Sequence, residues 1–366
     1  MLRKFFLFIK QIDWFLLGPI IILVCFSLAE IYSISLGQSG ADLLFFKKQV
    51  VFVIIGIILY FIVSSFDFHH WYSYSNYLYI IGIILLVAVL IFGQTINGTK
   101  GWFYLFGLGL QPVEIIKIIL IITLARYFSK GSVSIRPLRY FLVSASLVAL
   151  AVLLVLVQPD FGSAALLFVI WLIFVAAVGF EKKYLLFIGF GLLCTFVFAW
   201  QFVFKDYQRQ RLISFVRPSA TSTHYNVRQA IIAVGAGGLS GRGLGFGSQS
   251  QLKFLPEANT DFIFAVIAEE LGLIGVLMVI GCFVLILYRL ISYLPHIRNY
   301  FGSLIIIGGV GLIFIEMFIN IGMNIGILPV IGIPLPFVSY GGSALLAHLG
   351  LAGIMQNIIS RSAAKR

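Results

Sequence analysis

Charge is what this chain has least of: Asp, Glu, Lys and Arg together make up 10% of its 366 residues, and the acids number 13. An ordinary soluble domain carries about a quarter of its residues charged, so a water-facing surface of normal composition is excluded. Cysteine is scarce as well. Cys25, Cys194 and Cys282 each fall in an apolar run with no partner at ligand spacing, which argues against a disulfide framework and against a thiolate metal cluster. The five histidines are dispersed, with His69 and His70 at a loop and His348 alone in an apolar run, where a neighbouring helix commonly satisfies it. No Walker signature, GxxxxGK[ST], is present, and there is no internal repeat, low-complexity stretch or soluble segment. One domain spanning 1–366 is the simplest account.

Apolar length is abundant. Hydrophobic residues reach 61% and the mean hydropathy is +1.08. A bilayer core about 30 Å thick takes roughly 20 apolar residues per helix. Ten such spans are predicted, near 14–34, 49–66, 77–93, 112–128, 139–157, 162–180, 183–203, 262–290, 301–325 and 342–360, which makes the chain an all-α polytopic membrane protein. Arg3, Lys4 and Lys10 are followed by no small-residue cleavage motif, so the first span is expected to stay as an anchor. Placing the N-terminus inside gathers Arg126, Lys130, Arg136, Arg139, Lys182, Lys183, Arg289, Arg298, Arg361, Lys365 and Arg366 on the inner side as well, against Lys47, Lys48 and Lys100 in the short outer loops. By the positive-inside rule both termini are cytoplasmic, and the long loop between the seventh and eighth spans, about 204–260, is extracytoplasmic.

Ionisable groups inside spans are costly and need a partner or a function. In KFLPEANTDFIFAVIAEELG, Lys253 to Gly272, a polar loop with Glu257, Asn259 and Thr260 reaches Asp261 and turns into an apolar helix. Thr260 is a plausible N-cap, and a carboxylate in the first turn suits the positive end of the helix dipole. In QPVEIIK, Glu114 and Lys117 share one helix face at i and i+3, behind Pro112 at the helix start. They are either a neutralising structural pair or a functional one in which Lys117 reaches a second acid, with Asp261 the leading candidate. Asp160, in QPDFGSA, either caps the sixth span or serves a site. Glu30, Glu316, Glu269 and Glu270 are further buried acids, read as structural.

The long loop holds the densest polar chemistry, with Lys205, Arg209, Arg211, Arg217, Arg228, Arg242 and Lys253 against Asp206, Glu257 and Asp261. Basic residues at a membrane surface suit an anionic partner, phosphate above all for arginine; anionic lipid head groups are the plainer alternative. YQRQRLISFVRP has the pattern of an interfacial amphipathic helix. GAGGLSGRGLGFGSQSQ is either a loose phosphate nest or a flexible lid. Near the end, PLPFVSYGGS places Ser339, Tyr340, Gly341, Gly342 and Ser343 in irregular backbone, which is tolerated at membrane depth where it lines a cavity.

Together QPVEIIK, QPDFGSA, YNVRQAIIAVGAGGLSGRGLG, SQSQLKFLPEANTDFIFAVIAEELG and PLPFVSYGGS occur in the order and at the spacing of the SEDS family of bacterial cell-wall polymerases. The chain resembles that family over nearly its whole length, and its RodA-like elongation members more than its FtsW-like division members. The resemblance implies a ten-span peptidoglycan glycosyltransferase of the inner membrane that polymerises lipid II with a class B penicillin-binding protein as partner. It also implies that Asp261, the acid of the TDF motif, is catalytic, that Lys117 contacts it, and that Glu114 completes the QPxExxK motif. Arg228, Gln229, Asp160, Lys100 and Trp102 enter as substrate-binding candidates beside Arg209, Arg211, Glu257, Asn259, Thr260 and the 339–343 segment. Two departures stand out: Asn259 where the family usually has His, and Gly101 where it has Arg, with Lys100 one residue earlier. The implied chemistry has Asp261 as general base on the acceptor hydroxyl, with cations and a divalent metal, Mg or Mn, helping the pyrophosphate leave. Competing readings are a lipid II flippase, a scaffold, or a division or sporulation paralogue.

Overall fold

The computed structural model describes residues 12–36, 43–96, 98–105, 108–131, 136–184, 186–187, 189, 191, 222–252 and 254–363. Its long helices are α1 (Trp14–Leu36), α2 (Leu44–Ser65), α3 (Phe68–Phe92), α4 (Pro112–Ser129), α5 (Pro137–Val157), α6 (Phe161–Val178), α7 (Ser222–Ala236), α9 (Ile263–Tyr293), α10 (Tyr300–Asn324) and α11 (Gly342–Ala363), with the short α8 (Ser248–Gln251) before α9. Among the described residues eight helices are long and apolar enough to cross a membrane: α1, α2, α3, α5, α6, α9, α10 and α11. Helix α4 matches α6 in length but carries Glu114, Lys117 and Arg126. The expected seventh span, 183–203, lies largely outside the described residues, as do Arg209, Arg211 and the basic run 207–218.

Helix α4 is the axis of the bundle. Residues all round it are buried, and it packs against α3, α10, α6 and α11. That surround explains how a helix with a buried lysine exists at all: its charges face protein and not lipid. Between α3 and α4 the chain forms a three-stranded antiparallel sheet, β1 (Gln94–Ile96), β2 (Thr99–Leu105) and β3 (Leu108–Leu110), in the order β1-β2-β3. Trp102 of β2 pairs with Gln94, and Phe103 with Leu110. Residues 99–105, TKGWFYL, carry no period-2 alternation, so sequence pattern does not predict these strands.

Helix α9 departs from the continuous span expected at 262–290. It is broken at Gly272, whose φ of 65° and ψ of −161° belong to a region that side chains rarely enter. The backbone groups freed by the break are met by the glycine-rich loop. Arg242 and Gly243 donate to the carbonyls of Glu269 and Glu270 at 3.0 and 2.9 Å, while Leu273 and Ile274 donate to those of Gly238 and Leu239 at 3.0 and 3.3 Å. A Cβ on residue 272 would stand 2.3 Å from the Gly241 nitrogen. Gly272→Ala is therefore expected to cost at least about 1–3 kcal/mol, read as a lowered unfolding midpoint of the detergent-solubilised protein. An unchanged midpoint would mean that the break is dispensable.

Candidate active site

Asp261 sits in a turn, not in a helix. Helix α9 begins at Ile263 with Phe262 as N-cap and no side-chain cap, so the expected capping role of Thr260 is not realised. Its hydroxyl instead donates to the carbonyl and the carboxylate of Glu257, at 3.3 and 3.1 Å. The cap comes from another helix: Asn324 of α10 accepts from the Ala265 N–H at 3.1 Å through its side-chain oxygen. Its amide nitrogen donates to the Asp261 carbonyl at 3.0 Å, and Asn320 does the same at 3.1 Å. Just upstream, the Ser339 hydroxyl donates to the Thr260 carbonyl at 2.6 Å, and the Tyr340 N–H to that of Asn259 at 2.8 Å. Three successive carbonyls are thus held by α10 and by the 339–340 segment, which fixes where the Asp261 carboxylate emerges. A Cβ on Gly332 would lie 3.5 Å from that carboxylate, so a glycine leaves room beside it.

Two chambers flank this turn. One, about 530 Å³, is lined by Asp261, Glu114, Asp160, Glu257, Gln111 and Ser343 among others. The second, about 700 Å³, is lined by Lys48, Phe45, Ser250, Gln251, Asn259 and Gly342 among others. Trp102, Glu257, Thr260, Tyr340 and Gly341 belong to both, so the chambers share a wall. Both volumes lie in the roughly 300–1,000 Å³ range of small-molecule sites. Burial, and then the neighbouring Tyr104 phenol, raise the Tyr340 hydroxyl above the ordinary phenol range, which keeps it a neutral donor.

The acids on the chamber wall are held differently. Asp160 caps α6, accepting from the Ser163 N–H at 3.0 Å and its hydroxyl at 2.7 Å, and also from the Gln111 amide at 3.3 Å. It serves the helix and the chamber at once. Glu114 lies 2.8 Å from the Lys117 ammonium. The second acid on Lys117 is Glu316 of α10, at 2.6 Å, and not the expected Asp261. Lys117 is 1% exposed, and it is Glu114, not Lys117, that lines the chamber with Asp261. Glu316 in turn meets His348 of α11 at 2.5 Å.

The glycine-rich loop is neither an open nest nor a free lid. Glu269 accepts from the Gln249 and Ser250 N–H groups and the Ser248 hydroxyl, and Glu270 from the Gly245 N–H and the Ser33, Ser250 and Gln251 side chains. The amides of Gly245, Gln249 and Ser250 are thus occupied by the chain's own carboxylates, and those of Arg242 and Gly243 by the carbonyls of Glu269 and Glu270. Among the other candidates, Lys100 reaches back to the Ile91 carbonyl at 3.4 Å, and it lines neither chamber. Arg228 and Gln229 lie on α7 outside both linings, whereas Asn226 of the same helix faces the smaller one. Asn320, Asn324, Lys48 and Asn226 were not found from sequence. Asn320 and Asn324 left a signal, two amides at i and i+4 on one face of an apolar helix.

Comparison with known proteins gives the same outline. The chain is 36% identical over 347 residues to peptidoglycan glycosyltransferase MrdB of Escherichia coli K12, covering 93% of each protein. It is 35% identical over 321 residues to the stage V sporulation protein E of Bacillus subtilis, covering 86% of each. A chain from a solved peptidoglycan synthase complex, in work on the coordination of polymerization and crosslinking, superposes with a TM-score of 0.81 at 27% identity, covering 96% of this chain and 98% of that one. The rod shape determining protein RodA of Thermus thermophilus gives 0.71 at 27% identity, with 96% and 97% covered. With the profile FTSW_RODA_SPOVE, described as cell cycle protein, matching residues 10–364, this polytopic helical membrane protein belongs to the FtsW, RodA and SpoVE family.

Proposed function

We propose that the protein is a peptidoglycan glycosyltransferase that polymerises lipid II at the outer face of the bacterial inner membrane, in cell elongation, beside a class B penicillin-binding protein. The observation that carries this reading is Asp261, presented by a backbone clamp into a chamber that shares a wall with a second one. A reaction joining two lipid-linked sugars needs two adjoining sites and a base between them. The orientation follows from the distribution of Lys and Arg between loops.

In this mechanism Asp261 takes the proton of the acceptor 4-hydroxyl on GlcNAc. The oxygen attacks C1 of the donor MurNAc with inversion, and the C1–O bond to undecaprenyl pyrophosphate breaks. Fixing the carboxylate through its own backbone supplies orientation before substrate arrives. Stabilising the leaving pyrophosphate falls to cations at the site. Lys117 has its charge committed to Glu114 and Glu316, so it acts on the chamber through Glu114; Lys48 brings a positive charge to the lining of the larger chamber. The described residues gather no group of three or more acids, imidazoles or thiols placed to hold a metal ion.

Purified protein given lipid II in detergent is expected to produce glycan strands. Detergent offers no second compartment, so transport cannot be read out there. Absence of glycan from folded protein, with and without the penicillin-binding partner, would overturn the reading.

A further inference from the structure

Four ionisable side chains from three helices form one unbroken chain behind the Asp261 chamber: Glu114 and Lys117 of α4, Glu316 of α10 and His348 of α11. All are at most 4% exposed. Their order alternates acid, base, acid, base. The tautomer of His348 follows from its contacts. Nδ1 faces the Ala344 carbonyl at 2.6 Å, which can only accept, so Nδ1 carries a hydrogen. Nε2 faces the Glu316 carboxylate at 2.5 Å, and a contact that short between two acceptors requires a proton between them. Whichever atom holds that proton, the Glu316–His348 pair is neutral, and with Glu114 and Lys117 the quartet sums to zero. Without it the quartet carries one uncompensated negative charge in the protein interior, which burial penalises.

That charge has one direction in which to act. Glu316 and Glu114 share a single ammonium, at 2.6 and 2.8 Å, and of the two only Glu114 lines the chamber. The narrow gap inside the quartet is bounded by Glu114, Lys117, Ile118, Leu312, Ala347, His348 and Leu351, and the Phe337 ring stands 5.5 Å from the imidazole. Among the described residues Glu316, Lys117 and Glu114 are thus the ionisable groups facing His348. We infer that His348 is a positioning residue: the proton it shares with Glu316 offsets that carboxylate, so the Lys117 charge is left to balance Glu114, and a further net negative charge is kept from the chamber wall where an anionic, pyrophosphate-bearing lipid must bind.

The inference rests on the glycosyltransferase reading for its substrate, and the test separates the two. Binding of undecaprenyl pyrophosphate, read as thermal stabilisation, needs no turnover; the KM for lipid II is measured alongside. In His348→Gln, apparent Kd and KM are expected to rise by about tenfold, with kcat little changed. Adding Glu316→Gln removes the matching acid and restores neutrality, so Kd and KM return towards the parent values. A histidine that merely packs would leave the double variant as impaired as the single one. A His348→Gln protein with parent-like Kd and KM, or a double variant no better than the single, overturns the inference. A protein that binds the pyrophosphate as described but makes no glycan overturns the glycosyltransferase reading alone.

Discussion

Asp261→Asn is expected to lower glycan polymerisation by about 10²- to 10⁴-fold, the range a positioned general base supplies, with the unfolding midpoint close to that of the parent. The second half of that expectation comes from the clamp. Asn320, Asn324 and Ser339 grip carbonyls, not the carboxylate. An isosteric amide leaves all of them in place, and Thr260 keeps its bonds to Glu257. What the amide removes is a site that can take a proton. The measurement is strand synthesis from lipid II by purified parent and variant, with a thermal melt of each. Activity and midpoint falling together would make Asp261 a structural residue.

Lys117→Met should do the opposite, unmaking the fold before any chemistry can be read. The side chain is 1% exposed and is shared by two carboxylates at 2.8 and 2.6 Å. Methionine fills similar volume but leaves Glu114 and Glu316 facing each other without a cation between them. Removing one partner from a buried ionic group costs about 3–5 kcal/mol, so poor insertion, or a lowered midpoint in detergent, is the expected result. Adding Glu316→Gln should recover part of the loss, because one of the stranded charges goes with it. A Lys117→Met protein as stable as the parent would show that the two acids reach other partners or are already protonated.

Much of the bundle could be read from hydropathy, because apolar length is a property of single segments. The helix starts at Pro112, Pro137 and Gly342 fall within two residues of the expected span starts. The partners of the buried acids could not be read, since they come from elsewhere in the chain. Lys117 finds Glu316 across 199 positions, and Asn324 reaches back 63 to Asp261. Local pattern offered Thr260 as the cap, yet a distant asparagine does that work, because Asn259, Thr260 and Asp261 are drawn into the clamp. The break at Gly272 was hidden for a related reason: AEELGLIG keeps a helical apolar period on both sides, and only the returning loop makes the interruption affordable. Asp160 illustrates a residue whose two readings are both present, cap and chamber wall, where the sequence offered them as alternatives.

The two asparagines have a mechanical corollary. Since Asn320 and Asn324 hold the Asp261 carbonyl from the last turns of α10, the Asp261 carboxylate is geared to that helix as well as to the 339–340 segment. Sliding α10 along its axis by 1 Å would carry the carboxylate with it, and a displacement of that size is worth about a hundredfold in rate. Whatever presses on α10 from the bilayer side therefore has a handle on turnover without touching a substrate.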